Sequence, residues 1–297
     1  MVSAFSSSLA DIQGDPKSVA EEALLRSLER HAALLPPIPS LVMQIQERID
    51  DPWIDLRHLT RLIRTDPNIA GPLLRLANSV FHRGDREIFE LEVALQRIGV
   101  DVLRMIVLAL GAQSASGNTS SSSINGRRFR FHALLVATVA THLGRAAGCG
   151  PRSLERLWMA GLLHDQGAHL LPLLEPAGWN AILSAPPGPD TPTRTLLELE
   201  RERLPWDHAQ VGAAFLERKW SFPSAIVRLI RHWPAPEGAG EDCDLAEFVR
   251  RADLSAQAMG HCWQPGWTRI YEEDDPGGCR PVVEECLPLV RSILPAG

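Results

Sequence analysis

The chain has 297 residues, 45% of them hydrophobic and 22% charged, enough to bury one large core or two medium ones and too apolar for a disordered or fibrous protein. Its formal net charge of -6, with no basic run longer than Arg127-Arg128, argues against a nucleic acid as the main partner, because that binding rests on clustered Lys and Arg. Five cysteines without CxxC spacing fit reduced thiols better than a disulfide framework or zinc knuckle, and no leader-like or membrane-spanning apolar stretch appears, so a cytoplasmic location is expected.

Helical punctuation runs through the chain. Residues 1–17 are polar and Ser-rich, a tail. Ala20, Leu24, Leu25 and Leu28 share one helix face, and the prolines of Leu35-Pro36-Pro37-Ile38-Pro39 end that helix. Leu41, Ile45 and Ile49 predict the next helix, and Asp55 caps a third with Leu56, Leu59, Leu62 and Ile63 inward. Asp66-Pro67 is an N-cap followed by proline at the first helical position. Helices over 91–98 and 102–110 follow, separated by Gly99 as a C-cap.

Gln113 to Gly126 is Ser, Gly and Asn with almost nothing to bury, a loop or linker. Beyond it, helices are predicted over 128–147, 152–174, 193–203, 207–219, 223–233 and 244–261, then an irregular acidic stretch from Trp263 to Arg280 and a final helix over 282–294. In the 207–219 helix, Asp207 with Gln210 makes a capping box that leaves His208 at the first helical position. No convincing strand is present. The expected fold is all-α and two-lobed: a tail (1–17), an amino-terminal lobe (18–112), a Ser/Gly-rich loop (113–126), a second lobe (127–261) and a carboxy-terminal extension (262–297).

The chemistry concentrates in Gly161-Leu162-Leu163-His164-Asp165-Gln166-Gly167, a His-Asp doublet inside an apolar helical pattern. Burying a carboxylate costs several kcal/mol unless a cation or hydrogen bonds replace its water, and an imidazole beside it suits a divalent metal. His132 lies upstream, and His208 and Asp253 downstream. Three readings stay open for the doublet: a hydrogen-bonded core pair, a metal site, or a working catalytic centre. His31, His58, His82, His142, His169 and His261 match no ligand position and read as surface or packing residues.

The segments LPPIPSLVMQIQERIDDP, LIRTDPNIAGPLLRLANSVFHRG and ALQRIGVDVLRMIVLALG, then GLLHDQGAHLL, WDHAQVGAAFLERKWSFPSAIVRLIRHW and ADLSA, together resemble the HDOD family of bacterial signalling output domains, over roughly residues 30–260. The resemblance implies a two-lobed, all-α regulatory module, expected to work through a signalling protein partner or a small nucleotide ligand; the charge and the lack of an apolar span argue against nucleic acid and membrane. Set against the related HD-GYP phosphodiesterases, it implies ligand-like positions at His132, His164, Asp165, His208, His232 and Asp253 for a divalent ion (iron, manganese, magnesium or zinc), with Asp165 as the natural bridge between two ions. Ala168 stands where those enzymes carry a phosphate-binding Lys, and Trp233 where they carry a second His. A regulatory module with little or no catalysis is therefore expected; the other reading is a metal-dependent phosphohydrolase or phosphodiesterase acting on a nucleotide or cyclic dinucleotide.

Overall fold

The structure, a computed structural model, describes residues 16–35, 40–49, 55–64, 88–100, 124–184, 195–263, 275 and 277–293, with positions 70, 73, 74, 77, 103 and 107. The described residues are helical with no strand. The tail over 1–15, the Asp66-Pro67 cap and the Ser/Gly-rich stretch over 113–123 lie outside them.

In the amino-terminal part, α1 spans Pro16–Arg30, α2 Ser40–Ile49, α3 Leu56–Arg64 and α4 Leu91–Ile98. Asp55 begins α3 by accepting the Arg57 backbone N–H. Gly99 ends α4 at φ 83°, the left-handed half of backbone space that glycine enters without strain. Leu59, Ile63, Leu91, Leu95 and Ile98 are buried where α3 packs on α2 and α4.

The second part is built around α5, Gly126–Ala146. Asn125 caps it by accepting the backbone N–H groups of Arg127 and Arg128. Every residue from His132 to Thr141 is buried, so this helix is covered on all sides rather than amphipathic. Against it pack α6 (Pro151–Leu163), α12 (Cys243–Ala258) and α13 (Arg280–Ile293). The α5–α6 approach is close because Gly161 has no side chain: a Cβ there would lie 2.5 Å from Ala137 Cα.

The predicted 152–174 helix is broken where the His-Asp doublet falls. α6 stops at Leu163, a 3₁₀ turn covers Gln166–His169, and a short α7 runs Leu171–Leu174. The apolar pattern continues through the break, which is why periodicity missed it, but packing forces it. Gly167 presses so closely on the next part of the core that a Cβ would sit 2.0 Å from the His208 carbonyl oxygen. After α8 (Pro176–Leu183), α9 spans Leu196–Arg203 and begins with a Thr195–Glu198 capping box. α10 spans His208–Trp220 and carries the expected Asp207–Gln210 capping box. α11 runs Ser224–His232, and a 3₁₀ stretch, Pro236–Asp242, leads into α12.

α1 packs on α10: the Trp206 indole donates to the Ala20 carbonyl at 3.0 Å, and Arg231 bridges Glu21 and Glu217. No helix among the described residues is long and apolar enough to cross a membrane.

Candidate metal centre

His132 comes from the second turn of α5, His164 from the carboxy-terminal cap of α6, Asp165 from the turn after it and Asp253 from α12. These four side chains are buried and offer ligand atoms that all lie within 4.8 Å of one another. His132 Nε2 is 3.3 Å from His164 Nε2 and from Asp165 Oδ2, and 3.1 Å from Asp253 Oδ1. His164 Nε2 is 3.2 Å from Asp165 Oδ2 and 3.6 Å from Asp253 Oδ1. Neighbouring ligands on an ion with bonds of about 2.0–2.2 Å stand about 3.0–3.5 Å apart, so these separations have the size of the edges of a metal coordination polyhedron.

The hydrogen bonds behind the imidazoles set their orientation. His132 Nδ1 donates to the His261 carbonyl at 2.9 Å, and His164 Nδ1 to the Gly161 carbonyl at 2.8 Å. His208, at the first position of α10, donates from Nδ1 to Glu200 Oε2 at 2.6 Å, and the same oxygen accepts the His208 backbone N–H. A carbonyl or carboxylate can only accept, so each ring carries its proton on Nδ1. The Nε2 lone pairs are left to face the centre, the usual outer support of metal-bound histidine. His208 Nε2 lies 3.2 Å from Asp165 Oδ1, is shut off from solvent and makes no hydrogen bond.

Electrostatics agree with a site made for positive charge. Burial works against protonation of all three imidazoles, yet the Asp165 and Asp253 carboxylates outweigh it for His132 and lift His164 to about 10; Glu200 and Asp165 do the same for His208. Burial would raise Asp165 and Asp253, and the surrounding imidazoles hold both below the usual carboxylate range. Glu200, fully buried behind His208, is pushed up by its burial against the pull of that imidazole. A divalent cation among these atoms would supply the positive charge that protons otherwise must.

Of the six positions singled out in the sequence, His132, His164, Asp165 and Asp253 come together, and His208 joins them through the other oxygen of Asp165. His232 does not. Its ring lies against the Pro236–Asp242 stretch, where a Cβ on Gly238 would be 2.5 Å from His232 Nδ1. One residue further is a turn of about 100° around the helix, and it is Trp233 that faces the site, edge-on to His164 with ring centroids 5.1 Å apart and 5.9 Å from His208. The expected ligand His232 is thus turned away, and the indole that stands where the phosphodiesterases carry a second His faces the site instead.

Three residues that sequence reasoning missed complete the surroundings. The Trp263 indole N–H donates to Asp165 Oδ2 at 2.6 Å, and the Gln257 amide donates to both oxygens of Asp253 at 2.8 and 2.7 Å. The third is Glu200. Gln257 is four residues from Asp253 on one helix, a spacing that could have flagged it; Trp263 and Glu200 carried no local signal. Asp165 thus turns Oδ2 to Trp263, His132 and His164 and Oδ1 to His208.

His169, read from sequence as a packing residue, is buried against Phe129 with ring centroids 4.2 Å apart, and its Nδ1 has no partner. Burial pushes its pKa down to about 4, the Asp165 charge opposing and Arg130 adding to the effect. The unfolded chain therefore takes up the proton first, and stability should fall as pH drops from about 6.5 to about 4. At about 1.4 kcal/mol per pKa unit, the loss approaches roughly 3 kcal/mol. Urea melts at pH 7 and 4.5 should show a smaller decline for His169→Leu than for the wild type; parallel declines would show that His169 is not the group responsible.

An all-helical core that buries a His, a His-Asp pair and an Asp together defines an HD-related domain. The chain belongs to the HDOD family, whose domain model matches residues 35–236. Over 227 residues it is 25% identical to an uncharacterized protein of Treponema pallidum (strain Nichols), covering 76% of this chain; the chain spans only 42% of that relative's length. Among solved structures, an HDOD domain protein of unknown function from Geobacter sulfurreducens superposes with a TM-score of 0.62 at 20% identity, covering 92% of this chain and 96% of that one. A candidate phosphohydrolase from Shewanella amazonensis SB2B gives 0.63 at 21% identity, covering 92% and 97%. A candidate signal transduction protein from Marinobacter aquaeolei VT8 gives 0.58 at 19% identity, covering 95% and 65%. At these identities the likeness is one of fold.

Proposed function

We propose that this HDOD chain is a signalling module that holds one divalent ion between His132, His164, Asp165 and Asp253 and acts by altering its association with a protein partner, with little or no turnover. The observation that carries the reading is the set of imidazoles pinned through Nδ1, their Nε2 atoms turned on two buried carboxylates at 3.1–3.6 Å. His132, His164, Asp165 and Asp253 fit iron, manganese or zinc by ligand type.

Two features weigh against efficient phosphoryl chemistry. Ala168 is fully buried in the 3₁₀ turn and offers no cation to a phosphate, and Trp233 fills the place of a second ion's ligand. Losing one such stabilising group costs about 10²–10³ in rate in other enzymes. One observation favours the hydrolase reading: a cavity opens onto Asp165 and His208, and His208 is backed by Glu200 as a proton-carrying imidazole would be.

Elemental analysis of protein purified without chelator or affinity metal should find about one ion per chain, and nucleoside phosphates and cyclic dinucleotides should be hydrolysed only at trace rates with manganese, iron or magnesium supplied. Absence of any ion would sink the metal reading. Robust turnover abolished by Asp165→Ala would replace the regulatory reading with the enzymatic one.

A further inference from the structure

A cavity of about 290 Å³ adjoins the centre, and its wall includes Asp165, His208, Trp233, Asp253 and Trp263. The two indoles differ in one respect. Trp263 spends its N–H on Asp165. Trp233 is only 4% exposed, and its N–H finds no acceptor among the described residues. A buried donor without a partner costs about 1–3 kcal/mol, so such groups are normally met by water or by a ligand. The ring is not free to turn away, since it is packed between the His164 and His208 imidazoles.

The remaining wall groups are also rich in donors. Arg201 and Arg250 line the cavity; the hydrogen bonds they make to Asp207 and Glu247 use one N–H of Arg201 and two of Arg250, out of five on each guanidinium. Glu198, which shares the wall with Asp165 and Asp253, is turned to its own helix start, where it accepts the Thr195 backbone N–H. Asp165 and Asp253 would repel an anion when bare, but a divalent ion between them balances their charge.

We propose that the cavity binds a compact organic oxyanion whose head lies beside the ion and accepts the Trp233 indole N–H, with its body against the apolar wall of Leu196, Leu197 and Leu254. This inference rests on the metal reading above. The volume falls just below the range of about 300–1,000 Å³ typical of organic ligand sites. It takes one ring system with its anionic head and is too small to enclose a dinucleotide. The indole thus gives the head a hydrogen bond at the position where a second ion would have given it charge.

The test uses the full chain loaded with manganese, its ion content measured on the same samples, and calorimetric titration with phenyl phosphate and with benzoate. At least one should bind the loaded protein and not the stripped protein; the tighter of the two identifies a phosphoryl or a carboxylate head. Trp233→Phe, which keeps the packed ring and removes the N–H, should retain the ion and weaken binding about tenfold, the worth of one hydrogen bond. Should that variant fail to fold, Arg250→Gln provides the second arm and should weaken the same ligand. Full ion content with neither oxyanion bound, or with binding unchanged in the folded variants, overturns the inference while leaving the metal reading standing. A chain that holds no ion overturns both, and the ion measurement tells the two failures apart.

Discussion

Gly167→Ala is expected to destabilise the protein by about 3 kcal/mol or more, at the upper end of overpacking costs. A Cβ at this position would lie 2.0 Å from the His208 carbonyl oxygen and 2.5 Å from the Gly212 nitrogen. Both are backbone atoms of α10, so no rotamer change can relieve the clash and the turn must move bodily away from the helix. The melting temperature should drop by roughly 6–12 °C, at about 2–4 °C per kcal/mol for a domain of this size. Gly150→Ala is the control: no atom lies within 4 Å of a Cβ there, and the expected cost is about 1 kcal/mol or less from its place at the start of α6. Equal melting of the two variants would show that the turn is not seated on α10 as described. The same displacement should pull Asp165 off His208, so Gly167→Ala should also hold its ion more weakly.

Asp165→Ala should have an effect of similar size by a different route. This carboxylate is where the Trp263 indole and three imidazoles meet. Removing one member of a buried charged set typically costs about 3–5 kcal/mol, because the others stay buried without their partner. Loss of the proposed ion would add to this: a ligand at a hundred times its dissociation constant contributes about 2.7 kcal/mol to the folded state. Thermal melts of wild type with and without chelator, beside Asp165→Ala, separate the two contributions. Chelator should lower the wild-type melting temperature by several degrees and leave Asp165→Ala unchanged. A chelator response that persists in Asp165→Ala would place the ion elsewhere.

Much of the architecture is legible in the sequence, because apolar spacing and caps are local signals. Asp55, Gly99 and the Asp207–Gln210 pair can be read as helix boundaries from their immediate neighbours, and they bound helices in the structure. The break after Leu163 is not legible. Leu, Ala and Gly continue the helical period across it, and what stops the helix is contact with α10, more than 40 residues away in sequence. His164 and Asp165 stand out as a doublet costly to bury inside an apolar run, whereas His132 and Asp253 are picked out by the ligand order that the family resemblance implies. Glu200 and Trp263 could be found in neither way, since their importance lies in pairings with His208 and Asp165 that only the folded chain creates. His232 misses the site by one residue at a helix end, where a shift of one position moves a side chain to another face.

The match to the HDOD family model ends at residue 236, whereas Asp253, Gln257, His261 and Trp263, which supply or support the centre, all lie beyond it. The family match and the buried cluster therefore end at different places along this chain. A fragment cut at the family boundary would keep the His-Asp doublet but lose the second carboxylate, the carbonyl that orients His132 and the indole on Asp165. Whoever divides this protein for expression has to carry the chain past Trp263 to keep all of these groups together.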